Sequence, residues 1–459
     1  MGITVLIIYS ALMLIATLGF TRKADSAESF HVADRNVGTV ASAFSIAATW
    51  IWAPSLFVSG QQAYVNGIPG FFWFLVPNVL CLIIFIPFAK KIRRLYPDGI
   101  TLTGFMYNKY KSEKVKFAYS FQLGALAVLS TAVQLLAGSK VLEMLTGIAF
   151  WKLTIAMAAI AYSYSRFSGI RASIATDVVQ LVIILLGVAL ILPMVSNKLG
   201  GIGTLISGFA SITGNKTALF DTEGIKVFLS FGLPTTIGLL SGPFGDQCFW
   251  QRAFTINKKS LSKAFFFGAT LFALVPIGMG SLGFLAAGSE FIADDPSMVN
   301  FELINRLLPS WVIVPFLFMM LSGLLSTVDS NLCAAASMTT DLKSGSTVEK
   351  SRLTMLLLLG IAIAIANIPG LTVTMLFLFY GTLRATTLLP TVLTLLDKKL
   401  SARGVYTGVF ASLCLGLPIF AYGNLTNNAM YKTLGSLTSV LTSGIVALVL
   451  SRKEVPEND

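Results

Sequence analysis

The chain has 459 residues, of which 55% are hydrophobic and 12% are charged, and its mean hydropathy is +0.79. Soluble domains carry about a quarter charged residues, so this composition excludes an ordinary soluble protein and predicts an integral membrane protein. The net charge of +12 needs its own explanation, because nucleic-acid binders are also basic. The single His and the four scattered Cys offer no metal-ligand or redox spacing, so we expect no zinc, haem or disulfide framework.

Apolar runs of about twenty residues, separated by short polar segments, predict an all-α protein with about thirteen transmembrane helices. The first run is predicted to be a helix and not a cleaved signal, because no basic residue precedes it and no small-residue cleavage site follows it. The thirteen runs begin near residues 3, 38, 70, 117, 148, 172, 226, 261, 309, 353, 371, 404 and 433.

The basic residues predict the orientation of these spans. With the amino terminus outside and the carboxyl terminus in the cytoplasm, the cytoplasmic loops hold 25 of the 33 Lys and Arg residues and the outer loops hold 7. This excess follows the positive-inside rule, so the net charge indicates topology in a plasma membrane and no nucleic-acid partner. The densest group, eight cations between Lys90 and Lys116, is predicted to be a plain cytoplasmic loop, with anionic-lipid binding as the alternative.

The segments between spans are too short for an independent soluble core, and the spans contain no catalytic triad or paired carboxylates. We therefore expect neither an enzyme nor a receptor with its own signalling domain.

The second span contains Pro54, which predicts an opened helix around Ala47 to Trp50. Carbonyl groups freed there can bind a cation, although neighbouring Ser and Thr side chains can also satisfy an ordinary proline kink. In the ninth span, the Gly323 carbonyl and the hydroxyls of Ser326 and Thr327 are oxygen ligands that hard cations favour. Such hydroxyls also bridge helices, but the adjacent carboxylate of Asp329 favours a functional role.

Two further carboxylates lie in apolar surroundings. Asp177 is about one turn into the sixth span, where a functional role competes with capping of the helix amino end. Asp246 follows a Ser241-Gly242-Pro243 break in the seventh span. Breaks in the second and seventh spans, five spans apart, are typical of inverted-repeat transporters with a binding site between the repeats.

Four segments, in the order and spacing expected, resemble the sodium/solute symporter family: SFHVADRNVG, ATDVVQ, DQCFWQRAF and GLLSTVDSNLCAAASMTTDL. The first departs from the family pattern because Asp34 stands where Gly is usual. The resemblance implies a leucine-transporter-type fold with two inverted five-helix repeats, one preceding helix and two following helices. The implied boundaries are a leading helix and linker over 1–36, a core over 37–400 with repeats near 37–197 and 226–397, and accessory helices with a short tail over 401–459.

The resemblance also implies functional residues. Asp177 matches an aspartate that lies near the family's main sodium site and helps to bind a second sodium in some members, so it is expected to have a coupling role. The main sodium site would use the carbonyls of Ala47, Trp50 and Gly323 and the hydroxyls of Ser326 and Thr327.

For the substrate, the run WIWAPSL resembles the urea-transporter branch, so a sodium-coupled importer of urea or a similar amide is expected first. Arg384 lies within the eleventh span. If its guanidinium faced a cavity with no protein carboxylate nearby, the substrate would be expected to be a small carboxylate or an amino acid. A partner carboxylate would make Arg384 structural and keep a neutral solute ahead.

Gly242 stands where sugar-transporting relatives carry a tyrosine, which disfavours a sugar. A different class, a membrane sensor that does not transport, is the remaining alternative. The groups expected near the substrate, each with simple packing as its alternative, are Trp50, Trp52, Gln134, Asp246, Gln247, Thr382 and Arg384.

Overall fold

The structure is a computed structural model that describes residues 2–20, 26–341 and 347–454. The described residues form helices joined by short connections, with a single isolated bridge between Val37 and Ile256. Part of the predicted linker and the end of the predicted tail lie outside the described residues. Within these described ranges, ten helices are long and apolar enough to cross a membrane: Gly2–Gly19, Val58–Leu95, Glu113–Thr146, Ile170–Lys198, Thr222–Leu240, Leu261–Gly288, Ser310–Asp341, Val373–Leu395, Ala402–Leu425 and Ala429–Arg452.

Helices also form at the three remaining predicted spans. The second span begins with Thr39–Trp50, and the fifth and tenth spans are the helices Phe150–Ser168 and Val348–Ala366. The segment Val58–Leu95 contains the end of the second span and the whole third span. A backbone break at Gly67, with a φ of +57°, separates the two. All thirteen predicted spans are therefore helical, which confirms the predicted fold class.

Gly67 shows why glycine is required at this break. A Cβ atom there would lie 2.4 Å from the Lys216 carbonyl oxygen and 2.5 Å from the Phe209 carbonyl oxygen. Only a residue that tolerates positive φ and carries no side chain allows the loop between the sixth and seventh spans to approach so closely.

The second span is interrupted, but later than the sequence predicts. Its first helix continues to Trp50, Ile51 and Trp52 are non-helical, and Ala53–Leu56 resumes the helix. Pro54 lies in the first turn of the resumed segment, where a missing backbone N–H is tolerated. The proline therefore begins a new helix segment instead of opening the preceding turn. The Ala47 carbonyl still accepts an ordinary helical hydrogen bond, from the Ile51 N–H at 2.8 Å.

The seventh span has the predicted break. Its helix ends at Leu240, and the next helix is Gln247–Thr255. The two broken spans meet here, since a Cβ atom on Gly242 would lie 2.5 Å from the Trp50 ring. The interrupted backbones of the second and seventh spans therefore face each other inside the bundle.

Candidate functional site

The break in the second span lies against the ninth span, whose α-helix is Ile313–Ser337. The Thr327 hydroxyl is 3.2 Å from the Thr49 carbonyl oxygen and 3.3 Å from the Gly323 carbonyl oxygen. A Cβ on Gly323 would be 3.2 Å from the Ile51 carbonyl oxygen, so the two backbones are nearly in contact. Two carbonyls and one hydroxyl therefore converge at the end of a helix segment, which is an oxygen-rich environment of the type that hard cations favour.

The five residues expected to bind sodium are buried and lie on these two facing segments. The Trp50 carbonyl is 3.4 Å from the Ser55 hydroxyl, and the Ala47 carbonyl keeps its helical bond. Ser326 differs from its neighbour Thr327, because its hydroxyl donates to the Asp177 carboxylate at 2.5 Å. The structure thus brings the ninth-span ligands beside the second span and connects them to Asp177.

Asp177 faces the interior of the bundle, as the sequence analysis expects for a functional carboxylate. Its helix begins at Ile170, and its side chain is completely buried, so it does not cap the helix amino end. One carboxylate oxygen accepts the Ser326 hydroxyl, and the other accepts the Ser45 hydroxyl at 2.5 Å and Arg252 Nη2 at 3.0 Å. Asp177 therefore joins the second, sixth, seventh and ninth spans.

Arg252 was not identified as a site residue from the sequence. Its Nε donates to the Ser45 hydroxyl at 3.0 Å, and its Nη2 donates to the Ser330 hydroxyl at 2.7 Å. Every residue of the helix Gln247–Thr255 is buried, so Arg252 lies inside the bundle although its segment is predicted to be a cytoplasmic loop. Its position in the quoted segment DQCFWQRAF was the signal available in the sequence.

A second buried carboxylate extends the same network. Asp329 accepts the Ser173 hydroxyl at 2.6 Å and the Thr176 hydroxyl at 3.3 Å. The Ser330 hydroxyl is 2.9 Å from the Thr49 hydroxyl. Hydroxyl groups therefore connect both carboxylates to the break in the second span.

Arg384 occupies a different part of the bundle. Its guanidinium carbon lies 3.8 Å from the ring centroid of Tyr380, 4.9 Å from that of Trp50 and 5.4 Å from that of Trp52. Its Nη2 pairs with the Asp246 carboxylate at 2.9 Å, and both side chains are buried. A partner carboxylate of this kind was expected to mean a structural arginine and a neutral solute, but the pair with Asp246 occupies only one of the guanidinium nitrogens.

The arginine is only partly satisfied by the protein. Its Nε and Nη1 are buried and have no hydrogen-bond partner among the described residues, and the same holds for the indole nitrogen of Trp52 and the amide oxygen of Asn78. Asn78 adjoins this group because its backbone carbonyl accepts the Trp50 indole N–H at 3.1 Å. Buried polar groups normally have partners, so this concentration of unpaired atoms indicates hydrogen-bonding capacity that a polar ligand could use.

Two of the residues expected near the substrate support the broken segments. Gln134 accepts the Ala53 N–H at 2.7 Å and so caps the resumed part of the second span. Asp246 accepts the Cys248 N–H at 2.9 Å and caps the helix Gln247–Thr255. Both side chains satisfy backbone donors that a helix break exposes.

Gln247 and Thr382 are directed elsewhere. The Gln247 amide bonds to the Leu102 N–H, the Ile100 carbonyl and the Ser337 hydroxyl, each at 3.1 Å. The Thr382 hydroxyl donates to the Leu378 carbonyl at 3.1 Å and lies 3.4 Å from the Ser436 hydroxyl in the last span. Neither side chain is paired with the Trp50 and Arg384 group.

Comparisons with known proteins bear on this site. The model of the sodium:solute symporter family matches residues 30–411. A urea-proton symporter from Oryza sativa subsp. japonica is 23% identical over 92% of this chain, which spans 66% of that protein, just under two thirds of its length. A sodium/pantothenate symporter from Haemophilus influenzae is 22% identical over 90% of each chain.

The fold also matches solved structures. The structure of a Na⁺-coupled sialic acid symporter, in a substrate-bound outward-open state, superimposes with a TM-score of 0.76 over 98% of both chains at 17% identity. This likeness establishes the transporter fold of the thirteen-span bundle.

Proposed function

Because this chain belongs to the sodium:solute symporter family, whose members are transporters, we propose that it is a secondary active symporter. Sodium flowing inward would drive the import of a small polar solute by alternating access, with urea or a similar amide as the first candidate. The observation that carries the proposal is the convergence of the Thr327 hydroxyl with the Thr49 and Gly323 carbonyls at the break in the second span.

The surroundings of that convergence support coupling to sodium. Carbonyl and hydroxyl oxygens suit sodium, and a nearby negative charge favours a cation inside the membrane. Ser326 connects the site to Asp177, so a change in ion occupancy can reach the hydrogen-bond network that holds the second, sixth and seventh spans. Asp177 then has the coupling role expected for it, with a second sodium as one form of that role.

Charge and unpaired polar atoms around Arg384 support a neutral amide as the substrate. Arg384 and Asp246 form a pair with zero net charge, which favours a neutral ligand. The unpaired donors of Arg384 and Trp52 suit a carbonyl oxygen, and the unpaired amide oxygen of Asn78 suits an N–H group. A small amide has both kinds of group, and the aromatic rings around Arg384 suit a planar molecule.

A small carboxylate or an amino acid is the second candidate. The observation in its favour is the pair of unpaired donors on one guanidinium, a geometry that also accepts a carboxylate. The relatives differ in the same way, since one is a urea-proton symporter and another a sodium/pantothenate symporter.

The test is uptake of radiolabelled urea, small carboxylates and amino acids by proteoliposomes. An inward sodium gradient, a proton gradient and no gradient form three arms. A potential of 100 mV supplies about 2.3 kcal/mol per sodium ion, enough for roughly fiftyfold accumulation of a neutral solute. We expect sodium-driven accumulation of urea. Uptake that follows the proton gradient alone would contradict sodium coupling, and solute binding without accumulation would favour the sensor alternative.

The variant Asp177→Asn tests the coupling role. Its uptake is expected to lose most of its dependence on sodium, because the neutral side chain no longer attracts a cation or holds Arg252. Asp397→Asn, which changes an exposed carboxylate, is the matched control and is expected to behave as wild type. Unchanged sodium dependence in Asp177→Asn would leave this carboxylate with a purely structural role.

A further inference from the structure

A cavity of about 310 Å³ lies where the end of the third span meets the connection between the seventh and eighth spans. Four of its six lining residues are cationic. Lys90, Arg93 and Arg94 follow the i, i+3, i+4 spacing that places side chains on one face of a helix, and Lys258 comes from the connection between the seventh and eighth spans. Residues from two distant parts of the chain therefore surround one space with positive charge.

The positive charge is poorly neutralised. None of these four cations forms an ion pair within the described residues. Two exposed carboxylates are close enough to interact electrostatically with them: Asp98 with Arg93, and Asp397, which is already paired with Lys91, with Arg94. Because Asp397 is shared with Lys91, the four cations of the cavity exceed the negative charge near them. Mutual repulsion disfavours this arrangement unless an anion offsets it.

Arg93 shows that the cavity differs from an ordinary basic loop. Its side chain is only 4% exposed, and its Nε has no hydrogen-bond partner among the described residues. Its Nη1 donates to the Pro97 carbonyl at 2.9 Å, which holds the guanidinium in place at the cavity wall. A nearly buried guanidinium with an unused donor is a group that a phosphate oxygen can satisfy.

The two helices that lead away from the cavity carry exposed apolar side chains. Ile84 and Leu95 on the third span are 44% and 47% exposed, and Phe266 and Phe267 on the eighth span are 51% and 49% exposed. The helices that carry these residues, Val58–Leu95 and Leu261–Gly288, pack against each other. In a bilayer, these side chains face lipid tails while the cations lie at the predicted cytoplasmic boundary, where long basic side chains reach the headgroups.

From this combination, we propose that the cavity is a binding site for the phosphate of an anionic phospholipid headgroup, with the acyl chains lying along the adjoining apolar surface. The site is separate from the proposed transport function and involves none of its residues. A soluble phosphate would use the same cations, but it would gain nothing from the exposed apolar side chains beside them.

The experiment uses the full chain purified in detergent, with native mass spectrometry of bound phosphatidylglycerol and phosphatidylcholine. The test variant replaces the three exposed cations, Lys90→Gln, Arg94→Gln and Lys258→Gln, and leaves Arg93 unchanged so that the helix end keeps its internal contact. The control variant is Lys109→Gln, Lys111→Gln and Lys114→Gln. It removes the same charge from the same basic side of the protein but outside the cavity.

We expect wild type and control to retain phosphatidylglycerol in preference to phosphatidylcholine, and the test variant to bind it about a hundredfold more weakly, given roughly 1 kcal/mol per basic residue. Equal loss in both triple variants would indicate general charge attraction and overturn the site. Equal retention of the two lipids by wild type would do the same. Displacement of phosphatidylglycerol by 10 mM inorganic phosphate would assign the cavity to a soluble anion and overturn the lipid proposal.

Discussion

Two buried arginines, Arg252 and Arg384, are each paired with an aspartate, but their remaining hydrogen-bond partners differ. Arg252 has hydroxyl partners on Ser45 and Ser330 in addition to its carboxylate partner Asp177. Arg384 has its carboxylate partner Asp246 and three aromatic rings, while two of its nitrogens remain unpaired. The first pair is embedded in a complete polar network, whereas the second leaves donors available.

The two carboxylates also differ in what the backbone supplies. Asp246 caps a helix and receives the Cys248 N–H, so the positive end of that helix helps to stabilise its charge. Asp177 lies inside a continuous helix and depends on hydroxyls and on Arg252. Arg252 is therefore required to balance the buried charge of Asp177, whereas Arg384 has hydrogen-bond donors available for a ligand.

The largest expected effect breaks the first pair. Arg252→Gln leaves Asp177 buried without its cation, which we expect to lower the free energy of unfolding by about 3 to 5 kcal/mol. Thermal unfolding in detergent measures this, with Lys259→Gln as an exposed control. The double variant Asp177→Asn, Arg252→Gln should recover part of the loss. An Arg252→Gln protein as stable as wild type would show that the two pairs do not differ as described.

A smaller effect on stability and a specific effect on transport are expected for the second pair. In Arg384→Gln, Asp246 keeps its helix-capping bond, so the protein should fold. The loss of charged donors to the substrate should raise the KM for urea about ten- to hundredfold, the range for a hydrogen bond to a charged group. Concentration-dependent uptake in proteoliposomes measures it. Unchanged urea transport would remove Arg384 from the substrate site, and selective loss of carboxylate uptake would reverse the ranking of the two substrates.

The convergence of the second and ninth spans is tested by Gly323→Ala. The added methyl group would lie 3.0 Å from the Leu56 side chain and 3.2 Å from the Ile51 carbonyl oxygen, so the two backbones must separate slightly. A strain of about 1 kcal/mol should raise the sodium concentration for half-maximal uptake roughly fivefold. Gly360→Ala in the tenth span, where a Cβ meets no atom within 4 Å, is the control. Equal sodium dependence in the two variants would contradict the proposed ion site.

The smallest effect is expected at Thr382, on the same helix as Arg384. Its hydroxyl bonds to Leu378 and lies near Ser436, so Thr382→Val should leave the KM for urea within about twofold of wild type. Urea uptake measured in parallel for Thr382→Val and Arg384→Gln compares the two effects on KM. A large rise in KM would restore Thr382 to the substrate site and show that the eleventh span contributes more than its arginine.

The sequence by itself predicts the features that depend on local chemistry. The length of the apolar runs determines the spans. Pro54 and the Ser241-Gly242-Pro243 segment predict two broken helices, because proline and glycine restrict or loosen the backbone at their own positions. The cost of a charge in a membrane likewise indicates that Asp177 faces inward. The position of the first break was predicted a few residues too early, since whether a proline ends one helix segment or begins the next depends on what packs around it.

Only the tertiary structure decides which polar groups meet. Asp177 and Arg252 are separated by 75 residues, and Arg384 and Asp246 by 138, so nothing in their local spacing marks them as partners. Loop charge places Arg252 at the cytoplasmic boundary, but its short helix is enclosed on all sides and carries it into the bundle. Gln247 and Thr382 lie in segments where the sequence predicts substrate-binding residues. Their side chains point from the helix toward other hydrogen-bond partners. A side chain's direction in a packed bundle is determined by its neighbours in space, and these neighbours come from distant parts of the chain.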